Sequence, residues 1–326
     1  MKGVLRLGFR IAISFLVLAL LFSRVDAGNL AELFASSGIW LAILVSTMAQ
    51  ILQGLLGALR QIEILSLLGY PLSLFESVRV WFSGLVVSQI AFSFIGGDVV
   101  RAVQLIQGGV SRRTAARAII LDRVIGLAPL LILVVAALPV LFCLTDDESS
   151  RRGIWVLGAV CVLAAVVLIL SAPMLQLLEK IVPSKVTKYP IVAIGTDLAG
   201  VVRFLLAAPK QSMLLVGMGA VMHALNILGI IIIARYVGAQ ASPWLISMVA
   251  IPVMFVSMLP ISVAGWGVRE AAMVTGFSLL HVPPEIALTT SIGFGLSRIA
   301  ASLPGLLFII KQAPPSAEAS KRRANK

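Results

Sequence analysis

Phe94-Ile95-Gly96-Gly97-Asp98-Val99-Val100-Arg101 lies in the middle of a run, about Val78 to Gly109, that fits poorly as a single membrane span. A second stretch, Leu259-Pro260-Ile261-Ser262-Val263-Ala264-Gly265-Trp266-Gly267-Val268-Arg269-Glu270, poses the same problem. It ends a charge-free segment, Tyr236–Val268, after which apolar residues continue to Leu280. Both stretches put glycines, which permit sharp turns and close backbone approach, beside charged residues. Ionisable groups at membrane depth are costly and mark pathways. How the chain folds through these two stretches decides its architecture.

The rest of the sequence makes the membrane setting plain. Of 326 residues, 60% are hydrophobic and only 12% are charged, and the mean hydropathy is +1.06. Soluble domains run at about 45–50% apolar and about 25% charged, so an ordinary globule is excluded. Disorder is excluded as well, because disordered chains are poor in apolar residues. The 26 Lys+Arg against 14 Asp+Glu give +12. In this setting that charge points to anionic headgroups and cytoplasmic loops rather than to nucleic acid. Cys143 and Cys161 both sit in apolar runs and offer neither a disulfide framework nor a metal site.

A spanning helix needs about 20 mostly apolar residues. Charge-free runs of that kind occur at Ile39–Leu59, Val124–Leu144, Ile154–Ala172 and Ser212–Ala234, and a further apolar segment, Ala287–Ile310, contains Arg298. Ile11–Ser23 is shorter and follows Lys2, Arg6 and Arg10; it reads as a first helix, with a signal peptide as the alternative. If every candidate crosses from a cytoplasmic N-terminus, the basic segments around Arg112/Arg113/Arg117 and from Pro173 to Gln211 fall outside. That breaks the positive-inside rule. If the two Gly-centred regions instead dip in and return, both basic segments move inside and Asp146-Asp147-Glu148 moves outside.

The expected fold is therefore an all-α polytopic membrane protein with about six full spans and two re-entrant hairpins. Residues 1–311 form one transmembrane domain, with pseudo-repeats at about 1–145 and 154–311 arranged as an inverted repeat. Residues 312–326 read as a disordered basic cytoplasmic tail. Eight full spans joined by polar loops are the alternative.

Several residues could carry chemistry. Gly96, Gly97, Asp98 and Arg101 belong to the first hairpin, where Asp98 can cap the following helix and Arg101 lies one turn on. Gly265, Gly267, Arg269 and Glu270 repeat the idea in the second. Arg298 must pair or face water, either as a ligand for an anionic headgroup or as the structural partner of an acid such as Asp98 or Glu270. Asp122-Arg123 reads first as an interfacial anchor, with Arg123 kept as a candidate site residue. His223/Asn226 and Gln50/Gln53 read as helix-to-helix hydrogen-bonding groups. Two distant histidines, no HExxH, no phosphate loop and no CxxC give no catalytic constellation, no metal site and no cofactor.

Gly-Gly-Asp-x-x-Arg at 96–101, followed by Arg117-x5-Arg123-x-x-Gly126, resembles the lysylphosphatidylglycerol synthase transmembrane (flippase-like) family. Pro260-Ile-Ser-Val-Ala-Gly265-Trp-Gly267-Val-Arg269-Glu270 is similar to its second signature, and the resemblance covers about Lys2 to Lys311. It implies a flippase that moves aminoacylated phosphatidylglycerol, a hopanoid or another polar lipid, without the soluble aminoacyl-transfer domain.

The expected protein is a lipid flippase of the bacterial inner membrane with both termini cytoplasmic, not an enzyme, moving a polar or anionic lipid (aminoacyl-phosphatidylglycerol-like, hopanoid or lipid-linked glycan) between leaflets. It would grip anionic phospholipid headgroups through Arg101, Arg269 and Arg298 and work beside a separately encoded lipid-synthesis enzyme. A non-transporting scaffold for a lipid- or glycan-synthesising enzyme and a membrane transferase acting on a lipid-linked substrate are the alternatives.

Overall fold

The computed structural model describes residues 12, 14–23, 26–90, 94–145, 147–181, 208–258, 262 and 264–310. Among these residues all regular structure is helical. After a helical stretch at 14–22 come α1 (Ala27–Ala35), α2 (Ser37–Leu67), α3 (Leu74–Ile90), α4 (Phe94–Gln107), α5 (Arg112–Cys143) and α6 (Glu148–Ile181). The second half contributes α7 (Pro209–Tyr236), α8 (Pro243–Ser257), α9 (Val268–Ser278), α10 (Pro284–Ser302) and α11 (Pro304–Ile310). Among the described residues five segments are long and apolar enough to cross a membrane: Gly38–Leu67, Arg112–Cys143, Glu148–Val167, Pro209–Tyr236 and Pro284–Ile310. They coincide with the apolar runs read from the sequence, each extended at one or both ends.

Local chemistry explains where the helices begin. Ser111 and Ser242 accept hydrogen bonds from the amides of Thr114 (3.1 Å) and Leu245 (3.3 Å), capping α5 and α8. The Asp147 carboxylate does the same for Ser150 at 2.7 Å, at the start of α6. Proline occupies the first turn of α7, α8 and α10, where its missing N–H costs nothing. The basic cluster Arg112/Arg113/Arg117 lies in the first turns of α5.

The Gly-centred regions become two helical hairpins. The arms α3 and α4 have 17 and 14 residues, about 26 and 21 Å at 1.5 Å per residue. The arms α8 and α9 have 15 and 11 residues, about 22 and 16 Å. None reaches the roughly 30 Å of a hydrocarbon core. Gly97 in α4 packs so closely on α3 that a β-carbon there would meet the Gly84 carbonyl and the Ser88 hydroxyl. Glycines at both contact points let the arms touch. In the second hairpin, Ala264, Gly265 and Gly267 all have positive φ (49°, 85° and 86°), a left-handed turn that reverses the chain into α9.

One expectation is corrected. Asp98 does not cap a helix, because α4 starts four residues earlier at Phe94 and runs through both glycines.

Packing joins the halves at their centre. The most extensive contact is α2 on α7, and α10 and α5 close over this pair. One apolar core gathers around Ile233, Met273 and Phe277, another around Leu65, Leu105 and Ile125. The outward faces stay apolar: Trp40, Leu44 and Met48 of α2 and Trp155, Val156 and Leu163 of α6 are exposed. For a spanning helix that is the lipid-facing surface. The basic tail 312–326, Pro260 and much of the segment 173–211 lie outside the described residues.

Candidate functional site

A cavity of about 230 Å³ opens among the spanning helices, lined from both halves of the chain. One water needs roughly 10–15 Å³ on this measure, so the space is many waters wide. Its wall combines apolar side chains with a dense set of charges. Of the residues singled out in the sequence, Gly97, Asp98, Arg101, Arg123, Arg269 and Arg298 line it; Gly96, Gly265, Gly267 and Glu270 are not on its wall.

The first hairpin presents a chain of ion pairs. Asp122 of α5 is 4% exposed and holds two arginines at once. Arg60 of α2 reaches its Oδ1 through Nε (2.8 Å) and Nη2 (2.7 Å), and Arg101 of α4 reaches its Oδ2 through Nη1 (3.0 Å). Arg101 also donates from Nε and Nη2 to Gln61 Oε1 at 3.1 and 3.0 Å and lies 4.1 Å above the Trp81 ring. Arg123 grips Asp98 Oδ2 through Nε and Nη2, both at 2.7 Å, while Asp98 Oδ1 stands 3.5 Å from Arg101. Arg101 therefore has every donor-bearing nitrogen committed to protein. It braces the helices it joins.

The second hairpin repeats this arrangement with different partners. Arg269 of α9 donates from Nη2 and Nε to Glu270 Oε1 (2.6 and 3.0 Å) and from Nε to Ser291 Oγ on α10 (3.2 Å). Its guanidinium lies 4.6 Å above the Trp266 ring. Glu270 is fully buried. Its Oε2 accepts from the Gly267 amide at 2.6 Å, which closes the first turn of α9, and its Oε1 also accepts from Ser291 Oγ at 2.9 Å. Glu270 is thus a fully engaged brace.

Arg298 is different. It lines the cavity from near the C-terminal end of α10, half-buried, and among the described residues it makes no hydrogen bond or ion pair. The two acids considered as its structural partners are taken, Asp98 by Arg123 and Arg101, Glu270 by Arg269.

The neutral polar residues behave partly as expected. His223 of α7 donates through Nε2 to the Gly126 carbonyl of α5 at 2.8 Å, a helix-to-helix bond. Asn226 bonds within its own helix, to the Met222 carbonyl at 2.9 Å. Both line the cavity, as do Gln50 and Gln53.

Sequence reasoning missed Arg60, Gln61 and Trp81, and it misread Asp122 as an interfacial anchor. Arg60 follows an apolar run immediately, which reads as a helix end. In the structure α2 continues for seven more residues, to Leu67. Asp122 stands ten residues into α5, about 15 Å along it. The available signal was the missing helix breaker in both places.

These features define a class: a multi-pass membrane protein with a charged cavity enclosed between two helical hairpins. The chain belongs to the family described as lysylphosphatidylglycerol synthase TM region, whose model matches residues 8–305. No curated protein and no solved structure matches it.

Proposed function

We propose that the protein is a lipid flippase of the bacterial inner membrane, translocating a polar or anionic lipid between leaflets. The observation that carries this reading is Arg298, a cation without a counter-charge among the described residues, on the wall of a cavity inside the membrane-spanning helices. A desolvated, unpaired guanidinium is costly, and a ligand's anionic oxygens relieve that cost through its planar fork. The headgroup occupies the cavity while the acyl chains remain in the bilayer.

The two hairpins are re-entrant in this reading, supported by arms too short to cross and by the placement of basic segments on one side. The halves form an inverted repeat, with α1 to α5 answering α6 to α10. Its support is a packing pattern that maps onto itself when the halves are exchanged. α5 packs on α7 as α10 packs on α2, α5 on α8 as α10 on α3, and α4 on α5 as α9 on α10. Even the outer helices correspond, α1 against α10 and α6 against α5. Hairpins in matching positions then line one cavity from opposite halves of the chain, the arrangement by which such repeats build a substrate site.

The test is a proteoliposome assay with labelled lipids in the inner leaflet. Movement without chemical change supports the flippase. New lipid product identifies a transferase, and neither movement nor product leaves the scaffold. Both termini are cytoplasmic in this reading, and a lipid-synthesis enzyme encoded separately supplies the substrate.

A further inference from the structure

Five arginines stand on the cavity wall, namely Arg60, Arg101, Arg123, Arg269 and Arg298. Among the described residues three carboxylates reach them: Asp98, Asp122 and Glu270. Counted over those residues, the site holds two positive charges in excess. Each of the three carboxylates is already gripped by at least one arginine at 2.6–2.7 Å, and among the described residues no other acid lines the cavity. Among the described residues no uncommitted carboxylate is left there to balance an ammonium group. What the wall does offer, besides Arg298, is neutral hydrogen-bonding side chains: Gln50, Gln53, Gln89, Asn226 and Ser257.

We propose that the site takes a phosphodiester headgroup bearing hydroxyls, of the phosphatidylglycerol kind, and rejects the same headgroup once it carries a lysyl ester. This deepens the flippase reading and rests on it. The phosphodiester oxygens lie against the Arg298 fork, and the glycerol hydroxyls exchange hydrogen bonds with the amide side chains. A lysyl ester adds two ammonium groups to one phosphodiester. That turns the headgroup's charge positive inside a positive cavity with no carboxylate to spare, a mismatch that disfavours binding. The lipid in the family's name is thus the one this chain discriminates against.

The test is thermal unfolding of the purified full-length protein in a neutral detergent, titrated separately with phosphatidylglycerol, lysyl-phosphatidylglycerol and glycerophosphate. A ligand that binds only the folded state stabilises it by RT ln(1 + c/Kd) at free ligand concentration c, so the unfolding temperature climbs with ligand concentration and starts to climb near Kd. Phosphatidylglycerol should reach a given shift at a concentration about tenfold or more below lysyl-phosphatidylglycerol. Arg298→Gln should bring the two within about twofold of each other, and Arg298→Lys should fall between. Arg152→Gln, at an exposed pair on the start of α6, should leave the preference unchanged.

Equal or tighter binding of the lysyl lipid, an intact preference in Arg298→Gln, or no shift with any lipid overturns the proposal. Glycerophosphate matching phosphatidylglycerol overturns the lipid as the source of the headgroup. An intact binding preference in a protein that moves no lipid sinks the flippase reading and leaves this one standing.

Discussion

Arg298 was legible in the sequence because it interrupts an apolar run, but whether it had a partner was not. Both acids that could have claimed it are held by other arginines, so removing it orphans nothing. Arg298→Met is therefore expected to keep its folded yield and its unfolding temperature at or above wild type, because a desolvated cation is lost. Lipid movement should fall about tenfold or more, which per-protein transport rates would reveal. Asp122→Asn should behave in the opposite way. It leaves Arg60 and Arg101 without their shared carboxylate, and breaking a buried pair from one side costs about 3–5 kcal/mol; loss of folded protein on size-exclusion chromatography checks it. Arg101→Lys is expected to follow Asp122→Asn rather than Arg298. Lysine cannot reproduce the fork on Gln61 and Asp122 or the stacking on Trp81. Normal folded yield in Arg101→Lys would contradict its role as a brace. Arg60 and Asp122 escaped sequence reading because each stands beside an apolar run, where a charge ordinarily marks the membrane boundary. The helices continue past them, and only the neighbouring helix supplies the counter-charge.

At the scale of the element, the hairpins depend on close helix contact and on one turn with left-handed backbone. Gly97→Val places two methyl groups where the Gly84 carbonyl and the Ser88 hydroxyl already stand. Overpacking of this kind costs about 1–3 kcal/mol, and the damage should appear as faster amide exchange along α3 and α4. The glycines were visible in sequence, but their partner across the hairpin was not. Gly84 lies thirteen positions away in another helix. At the start of α6, the hydrogen bond from the Ser150 amide holds the Asp147 carboxyl below the ordinary carboxylate range. Its folded value thus lies below its unfolded one, so this capping contribution is present at neutral pH and fades as pH falls through the folded value. Protection of the Ser150 amide, taken relative to its intrinsic exchange rate at each pH, should fall on acidification in the wild type, and Asp147→Ala, which has no cap to lose, should show low protection at every pH.

For the whole molecule, the proposed re-entrant arrangement makes a sharp statement about sidedness. Single cysteines at positions 113 and 184, in a background lacking Cys143 and Cys161, should be labelled only after the membrane is opened, and one at 147 from intact cells. Labelling of position 184 from outside would overturn the arrangement; that residue lies beyond those the structure describes. The spans themselves followed from sequence alone, because the bilayer acts on each segment separately and needs only length and apolarity. The multi-pass membrane class and the two Gly-centred interruptions were determined in the same local way. The pairing of charges was not, because an ion pair is a property of two positions brought together. Arg60 meets Asp122 from sixty-two residues away, and Arg269 meets Ser291 across two helices. Which arginine remains open to the cavity is the remainder of that pairing, so only the tertiary structure could decide it.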